Sequence, residues 1–179
     1  MGLEVVRLGA PNRNPRDALT GLLVDITRFA QSPDVIRVLA EQEAEGRHLY
    51  AVEFSSRIGG EMFWLVEATQ GSDGCWYAGR SGDAAAPDEL TGPTPRVNLC
   101  VGSLKGNRYA GFIAGGFVVD PHHQVARVEL RDGAGVVLDA PVVNGAVLFF
   151  HRDQLEAPLT VTMRNGSSEI VGEHPFPLE

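Results

Sequence analysis

The sequence predicts a mainly β protein: an antiparallel β-sandwich or partly open barrel carrying an N-terminal helical pair. Three observations predict it. From Val125 the chain sets Val125, Arg127 and Glu129 against Ala126, Val128 and Leu130, and it turns at Asp132-Gly133. It resumes in Val136-Val137-Leu138 and closes through Asn144-Gly145 into Ala146-Val147-Leu148-Phe149-Phe150. Period-two alternation cut by such dipeptides marks antiparallel strands with a buried face. Turn signals then recur about every ten residues, as sandwiches and barrels require. Before His48 the apolar residues instead follow helical spacing.

The elements follow in order. Asn14-Pro15-Arg16-Asp17 is a helix start: Asn caps, Pro suits the first helical position, and an acid in the first turn complements the dipole. Leu19, Leu22, Leu23, Ile26 and Phe29 then share one face. Ser32-Pro33-Asp34 repeats the signal, Val35, Ile36 and Leu39 give a weaker stripe, and Gly46 is a natural stop. Residues 15 to 45 are therefore expected to be a helical pair, or one helix kinked at Pro33. From His48 the period becomes two. Tyr50, Val52 and Phe54 alternate with Ala51, Glu53 and Ser55, and after Gly59-Gly60 come strands Met62 to Thr69 and Cys75 to Arg80. This is a three-strand meander. Ser81 to Pro95 is rich in Gly, Ala, Pro and Asp and reads as a loop. Val97, Leu99 and Val101 against Asn98, Cys100 and Gly102 form a half-buried strand. Tyr109 to Val119 is long and apolar, and its glycines, Gly111, Gly115 and Gly116, imply a bulge, a bend or a close backbone approach. Leu159, Val161 and Met163 alternate with Thr160, Thr162 and Arg164, and Asn165-Gly166 turns into Ser168 to Gly172.

Residues 1–46 thus read as a helical segment packed on the meander of 47–80, and 96–179 as the sandwich core, one domain with the meander. The run Val125-Ala126-Arg127-Val128-Glu129-Leu130, then Asp132-Gly133, then Ala140-Pro141-Val142-Val143-Asn144-Gly145 resembles the immunoglobulin-like β-sandwich modules of uncharacterised bacterial proteins. The resemblance covers residues 96–179 and is one of fold. It implies a sandwich and no activity.

Composition narrows the function classes. At 179 residues with 44% hydrophobic content, the chain can bury a core, which argues against global disorder. A net charge of −8 lacks the basic surface that nucleic acid demands. Lys105 is the only lysine, an arginine bias that fits a GC-rich bacterial coding sequence. No apolar run reaches the ~18 residues of a membrane span. Met1 to Ala10 lacks the basic-then-apolar order of a secretory signal, so the chain as written reads as cytoplasmic. A chain already freed of its signal would read as extracytoplasmic.

The candidate chemistry competes with plainer readings. Asp120-Pro121-His122-His123 offers metal-ligating types, with His151, His174 and Glu173 as distant complements. Adjacent histidines on an extended chain point apart, however, and a polar inter-strand loop explains Asp120, His122 and His123 as well. His151-Arg152-Asp153 mimics a kinase tripeptide, but Pro158 stands where the partner asparagine belongs. Gly74-Cys75-Trp76 could present a thiol, although no local base activates it. Cys75 and Cys100 are either two free thiols or one disulfide. Tyr50, Trp64, Trp76 and Tyr77 fall in one meander, where aromatics either form a ligand platform or fill the core. No Gly-x-Ser-x-Gly elbow, phosphate loop, dinucleotide fingerprint or Cys-x-x-Cys occurs.

The sequence therefore favours a non-catalytic module that binds a protein or small ligand, with no cofactor. A metal-dependent or thiol enzyme whose ligands converge only in the fold is the first alternative. A self-associating structural subunit using exposed strand edges is the second.

Overall fold

Alternation along the strands sends side chains to two faces, and here nearly every such face meets another layer. The computed structural model describes residues 12–26, 36–57, 60–85, 94–103 and 111–176. The chain opens with α1 (Pro15–Ile26) and β1 (Arg37–Ala44), β2 (Arg47–Ser55), β3 (Glu61–Gln70) and β4 (Trp76–Ala85). It continues with β5 (Arg96–Ser103), β6 (Phe112–Val119), β7 (Arg127–Arg131) and β8 (Val137–Pro141), and ends with β9 (Ala146–His151), β10 (Leu159–Arg164) and β11 (Ile170–Phe176). All pairings are antiparallel: a first sheet β1-β2-β3-β4, a middle sheet β5-β6-β9 and a third sheet β11-β10-β7-β8. The fold is mainly β, with open sheets and, among the described residues, one short helix near the N-terminus.

Helix α1 begins as its sequence dictates. The Asp17 N–H donates to Asn14 Oδ1 at 2.8 Å, and the Asn14 amide returns a bond to the Asp17 carboxylate at 3.0 Å. Leu19 and Leu22 of this helix pack on Tyr50, Val52, Trp64 and Val66 of the first sheet. The opposite face of that sheet, with Leu49, Ala51, Phe63 and Leu65, packs on Ile113, Ala146 and Leu148 of the middle sheet. The far face of the middle sheet, with Phe112, Ala114, Val147 and Phe149, packs on Val128, Leu130, Val161 and Met163 of the third. Helix and three sheets thus stack as four layers with an apolar core in each gap. The outer face of the third sheet is polar, with Arg164 paired to Glu129 at 2.7 Å and Arg127 paired to Asp139. That face explains the charged half of the alternation at Arg127 and Glu129.

Three expectations are corrected. The second helix is a strand: residues 37–44 form β1. A bulge between Val38 and Ala40 inserts Leu39, so Leu39 and Ala40 are buried in succession and the apolar spacing imitates a helix. Gly46 does not end a helix. Glu45 and Gly46 take φ of 50° and 74°, the left-handed pair of a two-residue hairpin between β1 and β2. The meander therefore has four strands. The expected loop from Ser81 also begins late, because β4 runs on to Ala85. Finally, β5 packs on both sides: buried Val97 and Leu99 face the third sheet, while the half-buried Cys100 faces the first. Phe29 and Val35 lie outside the described residues.

The glycines of β6 do what close approach requires. A Cβ on Gly116 would stand 1.9 Å from the Asn98 carbonyl oxygen. One on Gly115 would stand 2.9 Å from Leu148 and 3.2 Å from Leu65, the side chains that fill the gap between the first and middle sheets.

Candidate functional site

The β1–β2 hairpin fixes a polar cluster at one end of the helix-bearing face. Its register pairs Glu41 with Tyr50 and Glu43 with His48. Cross-strand partners share a face, so all four side chains lie on the side covered by α1. Arg16, in the first turn of α1, reaches down to ion-pair with Glu41, and its guanidinium lies 5.8 Å over the Tyr50 ring. From β4 comes Trp76, whose backbone is tied to Asn12 ahead of the helix. The Trp76 N–H donates to the Asn12 carbonyl at 3.0 Å, and the Asn12 amide donates to the Trp76 carbonyl at 3.0 Å.

The rings contact each other closely. His48 stacks near-parallel on Tyr50, with centroids 6.4 Å apart, and meets Trp76 edge-on at 5.3 Å. His48 Nδ1 lies 3.7 Å from Glu41 and Nε2 lies 4.0 Å from Glu43, so the imidazole stands between two carboxylates. Tyr50 is 0% exposed. Burial, then the charge of Glu41, pushes its hydroxyl up to about 12, with Arg16 partly opposing the shift. At neutral pH the phenol is therefore a hydrogen-bonding group and not a base. Both the Tyr50 hydroxyl and His48 Nδ1 are buried without a satisfied hydrogen bond. Glu41 faces each of them but closes a full bond with neither.

The four predicted aromatics do not form one platform. Tyr50 and Trp64 belong to the core beneath α1, and Trp76 packs against its rim. Trp64 is 7% exposed, covered by the Arg80 guanidinium at 5.0 Å and met edge-on by Phe54 at 5.2 Å. Tyr77, one residue on in β4, leaves on the other face and donates its hydroxyl to Asp73 at 2.5 Å. Sequence reasoning missed Arg16, Glu41, Glu43 and His48. Their signal was present, because the alternation that places Tyr50 also places His48. Reading 37–44 as helix hid the two glutamates opposite.

The predicted metal-ligating residues lie elsewhere. The Asp120 carboxylate accepts the N–H of Val125 at 2.6 Å and of His122 at 3.3 Å, which organises the loop between β6 and β7. His122 and His123 are exposed on that loop. The His174 Nε2 instead accepts the Val97 N–H at 3.4 Å, joining β11 to β5, and His151 Nδ1 accepts the Asp153 N–H at 3.3 Å. Among the described residues no group of three or more His, Cys, Asp or Glu side chains is placed to hold a metal ion. Cys75 and Cys100 are both free. The Cys100 thiol lies 3.3 Å from the Gly115 carbonyl, and burial, with Asp83 adding to it, pushes it up to about 12. That thiol is unsuited to nucleophilic work. Among the described residues no helix is long and apolar enough to cross a membrane.

Comparison of the chain with protein-family models, with curated proteins and with solved structures gives no match.

Proposed function

We propose that the protein is a non-catalytic binding module whose ligand meets the cluster of Arg16, Glu41, His48, Tyr50 and Trp76. One observation carries the reading: two buried polar atoms, the Tyr50 hydroxyl and His48 Nδ1, share the single neighbour Glu41 and close no well-formed hydrogen bond inside a convergence of rings and charges. Leaving such groups unmet costs about 1–3 kcal/mol each, so a fold retains them where a partner satisfies them. Apolar ring surface joined to a few polar tips is also the usual composition of a ligand site. The self-association reading is weaker, because three of the six edge strands among the described residues carry blunting features. β1 has its bulge and the charges of Arg37, Glu41 and Glu43, β8 ends in Pro141, and β11 carries Pro175.

The test is a titration of the isotope-labelled protein with single acetylated amino-acid amides that span cationic, anionic, neutral polar and aromatic side chains. At about 10 mM, contacts worth only ~3 kcal/mol register. The reading expects at least one probe to shift the Trp76 indole and His48 ring signals together, and expects the His48→Ala variant to lose that response. Silence of the cluster toward every probe would reject it.

A further inference from the structure

We infer that the cluster is a cation site held by the chain's own Arg16, and that its outside ligand is the basic side chain of a partner peptide. The inference rests on the binding reading above and names the chemistry of the ligand. Glu41 and Glu43 bring two carboxylates to this end of the sheet, and Arg16 answers with one guanidinium. Glu41 and Glu43 against Arg16 leave one negative charge in excess among these three side chains, on a chain of net charge −8 that draws cations toward it. The rings add an attraction of the same sign. A guanidinium over an aromatic face gains from the ring quadrupole, and Arg16 already makes that contact with Tyr50.

The independent observation is the phenol. Tyr50 is 0% exposed, and its buried hydroxyl, which faces Glu41 without closing a well-formed hydrogen bond, keeps an oxygen lone pair able to accept from a cationic N–H. Arg16 is the movable part of the arrangement, because its side chain is 63% exposed while that of Glu41 is 33% exposed. An exposed pair of this kind contributes little to stability, so exchanging one guanidinium for another costs the fold little. Arg16 therefore works as an internal competitor that an incoming arginine or lysine displaces from Glu41 and the Tyr50 ring.

The experiment titrates N-acetyl-arginine amide, N-acetyl-lysine amide and the neutral N-acetyl-citrulline amide into the full chain. The Trp76 indole and His48 ring signals report binding. Wild type, Arg16→Ala, Arg16→Gln and Glu41→Gln are compared, each after thermal melting shows that it is folded. The arginine amide is expected to bind both Arg16 variants about fivefold more tightly than wild type and Glu41→Gln about fivefold more weakly, with added salt reducing binding. Citrulline amide, which has the shape without the charge, is expected not to bind. Two results would overturn the cation assignment while leaving the module: citrulline amide binding as well as arginine amide, or Arg16 variants no tighter than wild type. A cluster that answers to no probe in any variant would overturn both. Should Glu41→Gln not fold, the Arg16 pair and the citrulline comparison still decide.

Discussion

Asn144 donates its side-chain amide to the carbonyl of Leu39 at 2.8 Å, across 105 residues of sequence. Leu39 is the extra residue of the β1 bulge, so this bond fastens the irregular point of the first sheet to the turn between β8 and β9. Asn144 and Gly145 take φ of 49° and 77° to make that turn, and asparagine tolerates the left-handed region better than most residues. One side chain thus serves the turn and the layer contact together.

Asn144→Ala loses the bond and also places a Cβ-branchless but ordinary L-residue at positive φ. It is expected to cost about 1–2 kcal/mol. Asn144→Gly loses the bond but relieves the backbone, so it is expected to cost less than alanine. Urea denaturation of the two variants checks the order, and alanine proving the milder change would reject the account.

Gly116 tests the packing of β5 against β6. Its Cβ would stand 1.9 Å from a backbone oxygen, which cannot move aside as a flexible side chain can. Gly116→Ala is expected to cost about 3 kcal/mol or more. Gly79, also in a strand, has nothing within 4 Å of the same position, and Gly79→Ala is expected to stay within about 0.5 kcal/mol of wild type. Equal melting of the two variants would show that the β5–β6 contact is looser than this.

Much of the architecture was legible because burial in a strand obeys period two. Val128 and Leu130 of β7 and Leu159, Val161 and Met163 of β10 face the core their alternation implied. Asn14 and Asn144-Gly145 were legible because capping and hairpin turns are local chemistry. What failed was the register of burial at Leu39, where one inserted residue breaks the period, and the number of layers. Alternation states that β5 has two faces, but not that the first sheet covers the second; Cys100 joins the cluster of Leu49, Phe63 and Leu65 only through tertiary packing. The candidate cluster was half legible for the same reason. Tyr50 and Trp76 announced themselves as aromatics, while Glu41 and Glu43 gained meaning only once β1 paired with β2.

The two cysteines should differ in rate. Cys100 is held between sheets with its thiol pushed up to about 12 by burial and by Asp83, whereas Cys75 lies in the turn before β4. In the native protein at about pH 8, near the free-thiol range, Cys75 is expected to react with a thiol reagent well before Cys100. After denaturation without reductant both should react. Faster modification of Cys100, read by peptide mass mapping, would contradict its placement.

Asp132 should govern part of the acid response. Its carboxylate accepts the N–H of Glu156 at 3.0 Å and of Val136 at 2.7 Å, tying the β7–β8 turn to the segment before β10. The bond from Glu156 leads in holding this carboxyl below its ordinary value. A depressed folded value means that the unfolded chain binds more protons through the window, so stability rises with pH there. The contribution is present above about pH 4, the ordinary carboxyl value, and is lost as pH falls through the lower folded value. Asp132→Asn is expected to melt at a lower temperature at neutral pH and to show a shallower loss of melting temperature below about pH 4. An unchanged acid slope would assign the acid sensitivity to other carboxylates.

The last expectation asks whether α1 belongs to the fold or merely rests on it. Removing residues 1 to 46 cannot decide, because β1 would go with the helix and expose the edge of β2. A point change can. Leu19 is 1% exposed and packs among Tyr50, Val52, Phe54 and Trp64. Truncating a leucine so enclosed costs about 2–5 kcal/mol, through lost transfer energy and the cavity left behind. Against a net stability of ~5–15 kcal/mol, that is a large fraction. Thr20, the next residue, is exposed and spends its hydroxyl on the Arg16 carbonyl within the helix at 2.9 Å. Thr20→Ala is therefore expected to move stability by no more than about 0.5 kcal/mol. In urea, Leu19→Ala should lower the midpoint with an unchanged slope, as a loss of stability without a change in exposed surface does. If Leu19→Ala and Thr20→Ala unfold together with wild type, the helix contributes nothing to the core. Its apolar side would then be a surface held in reserve for another molecule, and the cluster beneath Arg16 would lose the roof that defines it.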